Sequence, residues 1–126
     1  MTTVSSSVVA VMDAYAGSGE FIDVLSGPRW EVLAEPVRRA VRGAGPAPVV
    51  DVGAGTGLGT RVLADACPGV PILAVEPSPV LRAVLLARVA ADSHLRECVT
   101  VGAGDALPWR GDLRPGAHET ELGRAE

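Results

Sequence analysis

The stretch PVVDVGAGTGLGT, residues 48–60, passes from valines around a single acid, Asp51, into four glycines at every second position. Pro48-Val49-Val50-Asp51-Val52 is a short continuous apolar run rather than an alternating one, the pattern of a parallel strand buried on both faces. The glycines Gly53, Gly55, Gly57 and Gly59 come next. Glycine admits positive φ and lets a ligand lie against bare backbone. In a doubly wound sheet, the loop leaving the first strand opens at the carboxyl edge, where ligands bind. The N–H groups that begin the following helix then face an acceptor. Four glycines in seven residues are more than a ligand-free strand-to-helix turn needs, so the stretch reads as a cofactor-binding turn.

The rest of the chain continues the alternation of helix and strand that the turn begins. Residues 58–67 have helical character and stop at Pro68-Gly69, and residues 71–76 form a second buried strand. Ser78 is a suitable cap and Pro79 suits a first helical turn, with Leu81, Val84, Leu85 and Val89 at helical spacing. Residues 98–101 give a third strand, followed by Gly102-Ala103-Gly104-Asp105. Strand, helix, strand, helix, strand predicts an α/β fold with a doubly wound parallel sheet.

Upstream, residues 4–15 read as a short helix broken by Gly17, Ser18 and Gly19. Ser26-Gly27-Pro28 reads as the start of another helix. Its apolar face is Trp30, Leu33, Ala34, Val37 and Val41, and Pro36 is expected to kink or divide it. Residues 110–126 are polar, show neither period, and read as a disordered tail. The expected organisation is a helical cap over 1–45, a cofactor-binding portion over 46–109, and the tail over 110–126.

Composition narrows the function. A chain of 126 residues fits one domain, and with only 3% aromatic residues its core must rest on Val, Leu and Ala. All 11 basic residues are Arg and the net charge is −4, which gives no nucleic-acid signal. Cys67 and Cys98 lack close-set partners, so a metal or redox pair is not indicated and two buried reduced thiols are expected. No basic residue precedes Arg29, as a secretory signal would require. No apolar run nears the roughly 18 residues of a membrane span. The expectation is a cytoplasmic protein with no membrane association.

A dinucleotide fingerprint needs G-x-G-x-x-G. Starting at Gly53, Gly55 or Gly57, the sixth position is Leu58, Thr60 or Val62, so none fits. A nicotinamide-dependent dehydrogenase is disfavoured for that reason. The chain instead offers D-x-G-x-G-x-G from Asp51. In VVDVGAGTGLGT it resembles the first motif of class I S-adenosylmethionine-dependent methyltransferases, and the resemblance extends through about Trp109.

The resemblance implies a Rossmann-like fold, methyl transfer, and S-adenosylmethionine as cofactor. Gly53, Ala54, Gly55 and Gly57 would pass beneath its methionine and ribose portions, and Asp51 would stand near its amino group. Glu76 would accept from both ribose hydroxyls, a task that suits two carboxylate oxygens; the alternative is a solvated strand-end acid. Pro77 and Ser78 would line the same wall. Asp105 would reach the adenine amino group, or mark an ordinary turn, with Ala106 and Leu107 beside the ring. Trp109 would cover the cofactor or close the core. Tyr15 and Phe21 are expected to pack.

A sulfonium is already an activated methyl donor, so such an enzyme chiefly aligns the acceptor. The sequence offers no catalytic base and no metal site: His94 is expected on the surface, and His118, Glu119, Glu121 and Glu126 belong to the tail. The methyl acceptor is unnamed, a small molecule being favoured. The family's central sheet has seven strands, three of which are visible here, and the stretch after Trp109 departs from the pattern. That departure implies a truncated or frame-shifted product, or half of a split domain. Residues 49–52 would then form an unpaired apolar edge, open to a second copy, a partner chain or aggregation. The competing function is a non-catalytic cofactor-binding or interaction module whose missing half a partner supplies.

Overall fold

The computed structural model describes residues 13–104. The expected helix over 4–15 lies mostly outside that range, as do Asp105, Ala106, Leu107, Trp109 and the tail. A 3₁₀ turn, Gly19–Phe21, leads into α1 (Ile22–Arg42). There follow β1 (Val49–Val52), α2 (Leu58–Ala66), β2 (Ile72–Val75), α3 (Pro79–Ala91), α4 (Ser93–Cys98) and β3 (Val99–Gly102). The three strands are parallel in the order β1-β2-β3. The fold is a Rossmann-like α/β arrangement, a parallel sheet with helical crossovers.

The register explains where the core sits. Val49, Ile72 and Val99 lie side by side, as do Asp51, Ala74 and Val101. Alternate strand residues share a face. On this face Ile72, Ala74 and Val99 pack with Ala64 of α2, Leu85 of α3 and Leu95 of α4. Lying between two neighbours, β2 is buried at all four positions.

The first strand behaves differently, against the expectation of burial on both faces. Its neighbour is β2, and β1 stands at the edge of the described sheet. Val50 and Val52, on the face turned from the core helices, are 43% and 61% exposed. An apolar run shows that a strand can be buried, but what packs against each face decides whether it is: Val49, on the core face, is half-buried.

The N-terminal helix also departs from the reading. It begins at Ile22, before Ser26, and runs undivided through Pro28 and Pro36. Each proline removes the bond to the carbonyl four residues earlier. Those carbonyls belong to Val24 and Val32, both strongly exposed, where water can satisfy them. Trp30, Ala34, Val37 and Val41 are half-buried rather than core, and Leu33 is exposed. Tyr15 and Phe21, expected to pack, are exposed as well.

At the other end, α3 begins as its sequence predicts: Ser78 caps it by accepting from the Leu81 N–H at 3.2 Å, with Pro79 in the first turn. The short α4 is an additional element that the apolar periodicity does not predict. Its signal was Asp92, whose carboxylate accepts from the N–H groups of His94 and Leu95, as an N-cap should. The third strand accordingly starts one residue later than expected.

Both cysteines are free; Cys67 is buried, but Cys98 is only half-buried. Desolvation, chiefly, raises the Cys98 thiol above its ordinary pKa. His94, expected at the surface, is half-buried, with Nε2 3.2 Å from the Ala64 carbonyl oxygen. No helix among the described residues is long and apolar enough to cross a membrane.

Candidate functional site

Because the strands are parallel, their carboxyl ends deliver three segments to one edge of the sheet: the loop 53–57, Glu76-Pro77-Ser78, and residues 102–104. Backbone bonds stitch the segments together. The N–H groups of Gly53 and Ala54 donate to the Val75 carbonyl at 2.9 and 3.0 Å, and Glu76 N–H donates to that of Gly102 at 3.1 Å.

The four glycines divide into two kinds. Gly53 and Gly55 have φ of +70° and +61°, and a Cβ on either would meet nothing within 4 Å. Their backbone borders open space. Gly57, at φ +94°, is bare for packing: a Cβ there would stand 2.7 Å from Leu85 Cδ1 and 3.3 Å from Arg88 Cδ. Gly59 is bare because the Trp30 ring lies over it, 2.5 Å from where a Cβ would be. Only the first two leave backbone exposed for a ligand.

Two carboxylates flank that bare backbone. Glu76 is 5% exposed, which rules out the solvated strand-end acid. Its Oε1 accepts from Gly55 N–H at 2.9 Å and its Oε2 from Ser78 N–H at 2.7 Å. A carboxylate offers about four lone-pair sites, so each oxygen retains capacity for another donor. Half-buried Asp51 accepts from the Thr60 hydroxyl at 2.7 Å. Burial, first, and the neighbouring charge of Glu76 raise its pKa above the ordinary carboxylate value, against the opposing effect of the Thr60 bond. Two acids near one another beside exposed amide backbone suit a ligand that carries positive charge and hydroxyl donors.

Of the remaining expected site residues, Ala54 contributes backbone alone, since its side chain packs against the core cluster. Pro77 is exposed, and its carbonyl accepts from Arg82 at 3.3 Å. Arg82 also donates to the Glu76 carbonyl at 2.8 Å, which secures the end of β2. The expected contributions of Asp105 and Ala106 lie outside the described residues. Among the described residues, no group of three or more His, Cys, Asp or Glu could hold a metal ion.

Sequence reading missed two sets of supporting residues. Asp13 accepts from the Ser78 hydroxyl at 2.8 Å and thereby ties the N-terminal segment to the site wall. The Tyr15 N–H, first, and the Ser78 hydroxyl hold its carboxyl below the ordinary range, burial acting the other way. The second set joins Asp23, Thr56 and Arg88. No local pattern signals either one, because Asp13 and Ser78, like Asp23 and Arg88, stand 65 residues apart.

No family model matches the chain, and no curated protein does. Among solved structures, the crystal structure of the glycopeptide N-methyltransferase MtfA is similar. Identity is 29% over 62% of this chain and 37% of that one, with a TM-score of 0.49. The matched stretch is thus well under half of that protein's length.

Proposed function

We propose that this chain binds S-adenosylmethionine and serves as the cofactor-holding part of a methyltransferase. The observation that carries the reading is the pair of left-handed glycines, Gly53 and Gly55, whose bare backbone borders open space, with buried Glu76 bonded to the Gly55 N–H and Asp51 two residues before Gly53. Those residues fit the cofactor. Asp51 favours its ammonium group, and that charge offsets the penalty that burial places on the Asp51 carboxylate. Glu76 takes the ribose hydroxyls on the lone pairs that the Gly55 and Ser78 amides leave free. Gly53 and Gly55 allow close approach of the chain to the ligand. The family resemblance implies that Asp105 and Ala106, outside the described residues, would serve the adenine side.

When bound, the cofactor supplies a methyl group already activated on sulfur. The chain's task is to hold it in a fixed orientation.

Calorimetric titration with S-adenosylmethionine and S-adenosylhomocysteine tests the proposal. One site per chain, lost in Glu76→Ala, is the expected result. No heat from a cooperatively folded chain refutes it. A methyl-transfer assay against small-molecule acceptors then separates enzyme from binding module.

A further inference from the structure

The glycine loop is held from two sides, and the second side has no part in the ligand contacts proposed above. Thr56, buried between Gly55 and Gly57, donates its hydroxyl to Asp23 Oδ1 of α1. Arg88 of α3 donates from Nε to the Thr56 carbonyl at 2.8 Å. The same guanidinium pairs through NH2 with Asp23 Oδ2. The three residues thus form a closed ring, with one oxygen of Asp23 for each partner. The next N–H, that of Gly57, donates to the Ala54 carbonyl at 3.1 Å. Both polar groups of the Thr56–Gly57 peptide are therefore engaged. The aliphatic stem of Arg88 also fills the space beside Gly57, where a Cβ would come within 3.3 Å.

A loop of glycines has more conformational freedom to lose than any other backbone. Left alone, residues 53–57 would sample many arrangements, and a ligand would have to select one. Its affinity falls in proportion to the fraction of time the binding arrangement is populated. Glu76 holds the loop at Gly55, on the ligand side. The ring holds it at Thr56, where a charge-assisted bond is stronger than a neutral one.

We infer that Arg88 and Asp23 are positioning residues that clamp the Thr56–Gly57 peptide and so keep the glycine loop in its ligand-receiving form. The effect on affinity rests on the cofactor reading above; the effect on loop order does not. Arg88→Met keeps the stem beside Gly57 and removes the donors. Asp23→Asn removes the charge while keeping the shape, and serves if Arg88→Met does not fold. Thr56→Ser retains the hydroxyl, whereas Thr56→Val discards it.

The experiment is ¹⁵N relaxation of the loop amides in the free chain, paired with S-adenosylhomocysteine titration of each variant. Order at Gly53, Gly55 and Gly57 is expected to drop in Arg88→Met, while the amides of Ile72–Val75 stay as they were. Affinity is expected to fall about tenfold, about 1.4 kcal/mol. Thr56→Ser should restore most of what Thr56→Val loses, and Asp23→Asn should add little to Arg88→Met, since the residues act as one ring. Unchanged loop order in Arg88→Met overturns the inference, as does a variant that melts earlier yet binds normally when folded. If the wild-type chain binds no S-adenosylhomocysteine, the cofactor reading fails, and the relaxation data still decide the clamp.

Discussion

Placing a methyl group on Gly55 and on Gly57 separates the two purposes that glycine serves in this loop. Both residues have left-handed backbone, at φ +61° and +94°, which costs an L-residue about 1–2 kcal/mol. For Gly55→Ala that is the whole expected loss of stability, because its Cβ would meet no atom within 4 Å. Gly57→Ala carries a further burden. Its Cβ would stand 2.7 Å from Leu85 Cδ1, and Leu85 is a fully buried core residue. Overpacking of that kind adds about 1–3 kcal/mol, for a total of about 2–5 kcal/mol. Urea denaturation measures both losses. Titration with S-adenosylhomocysteine should show the reverse emphasis for the milder variant, with Gly55→Ala weakened more than about tenfold although it is well folded. Two results would refute the reasoning: equal destabilisation by the two substitutions, or undiminished binding by Gly55→Ala.

Asp51→Asn should stabilise the free chain at neutral pH. The folded carboxyl holds its proton more tightly than the unfolded one, so its favourable contribution is full below the ordinary carboxylate value and lost as pH rises through the folded pKa. Thermal denaturation should show the variant melting above wild type at pH 7, the gap closing towards about pH 4; ligand affinity should fall in the same variant. Ser78→Ala removes the α3 cap and the hydroxyl that Asp13 accepts, and is expected to cost about 1 kcal/mol in chemical denaturation. Gly59→Ala drives a methyl into the Trp30 ring and should cost about 1–3 kcal/mol, with a change in Trp30 fluorescence if α1 shifts on α2.

Much of this architecture was legible in local pattern. The residues 71–76 run, the Pro68-Gly69 stop and the Ser78-Pro79 helix start each report on a few neighbouring residues, and the structure places β2, the end of α2 and the cap of α3 there. The glycine loop was legible too, because backbone that needs left-handed φ selects glycine wherever it occurs. Other features depended on what the fold brings close. Four glycines look alike in sequence, yet Leu85, Arg88 and the Trp30 ring alone determine that two are bare for packing and two face open space. The apolar run of β1 suggests burial on both faces, yet Val50 and Val52, on the face of this edge strand turned from the core helices, are exposed. Glu76 reads from the family resemblance as a ribose acceptor or else a solvated strand-end acid, and its burial and its bond to Gly55, 21 residues away, exist only in the fold. The ring of Asp23, Thr56 and Arg88 is the extreme case, since charge complementarity carries no address along a chain. Periodicity and turn chemistry are local and survive in the sequence, whereas contacts between distant residues exist only once the sheet has set their positions.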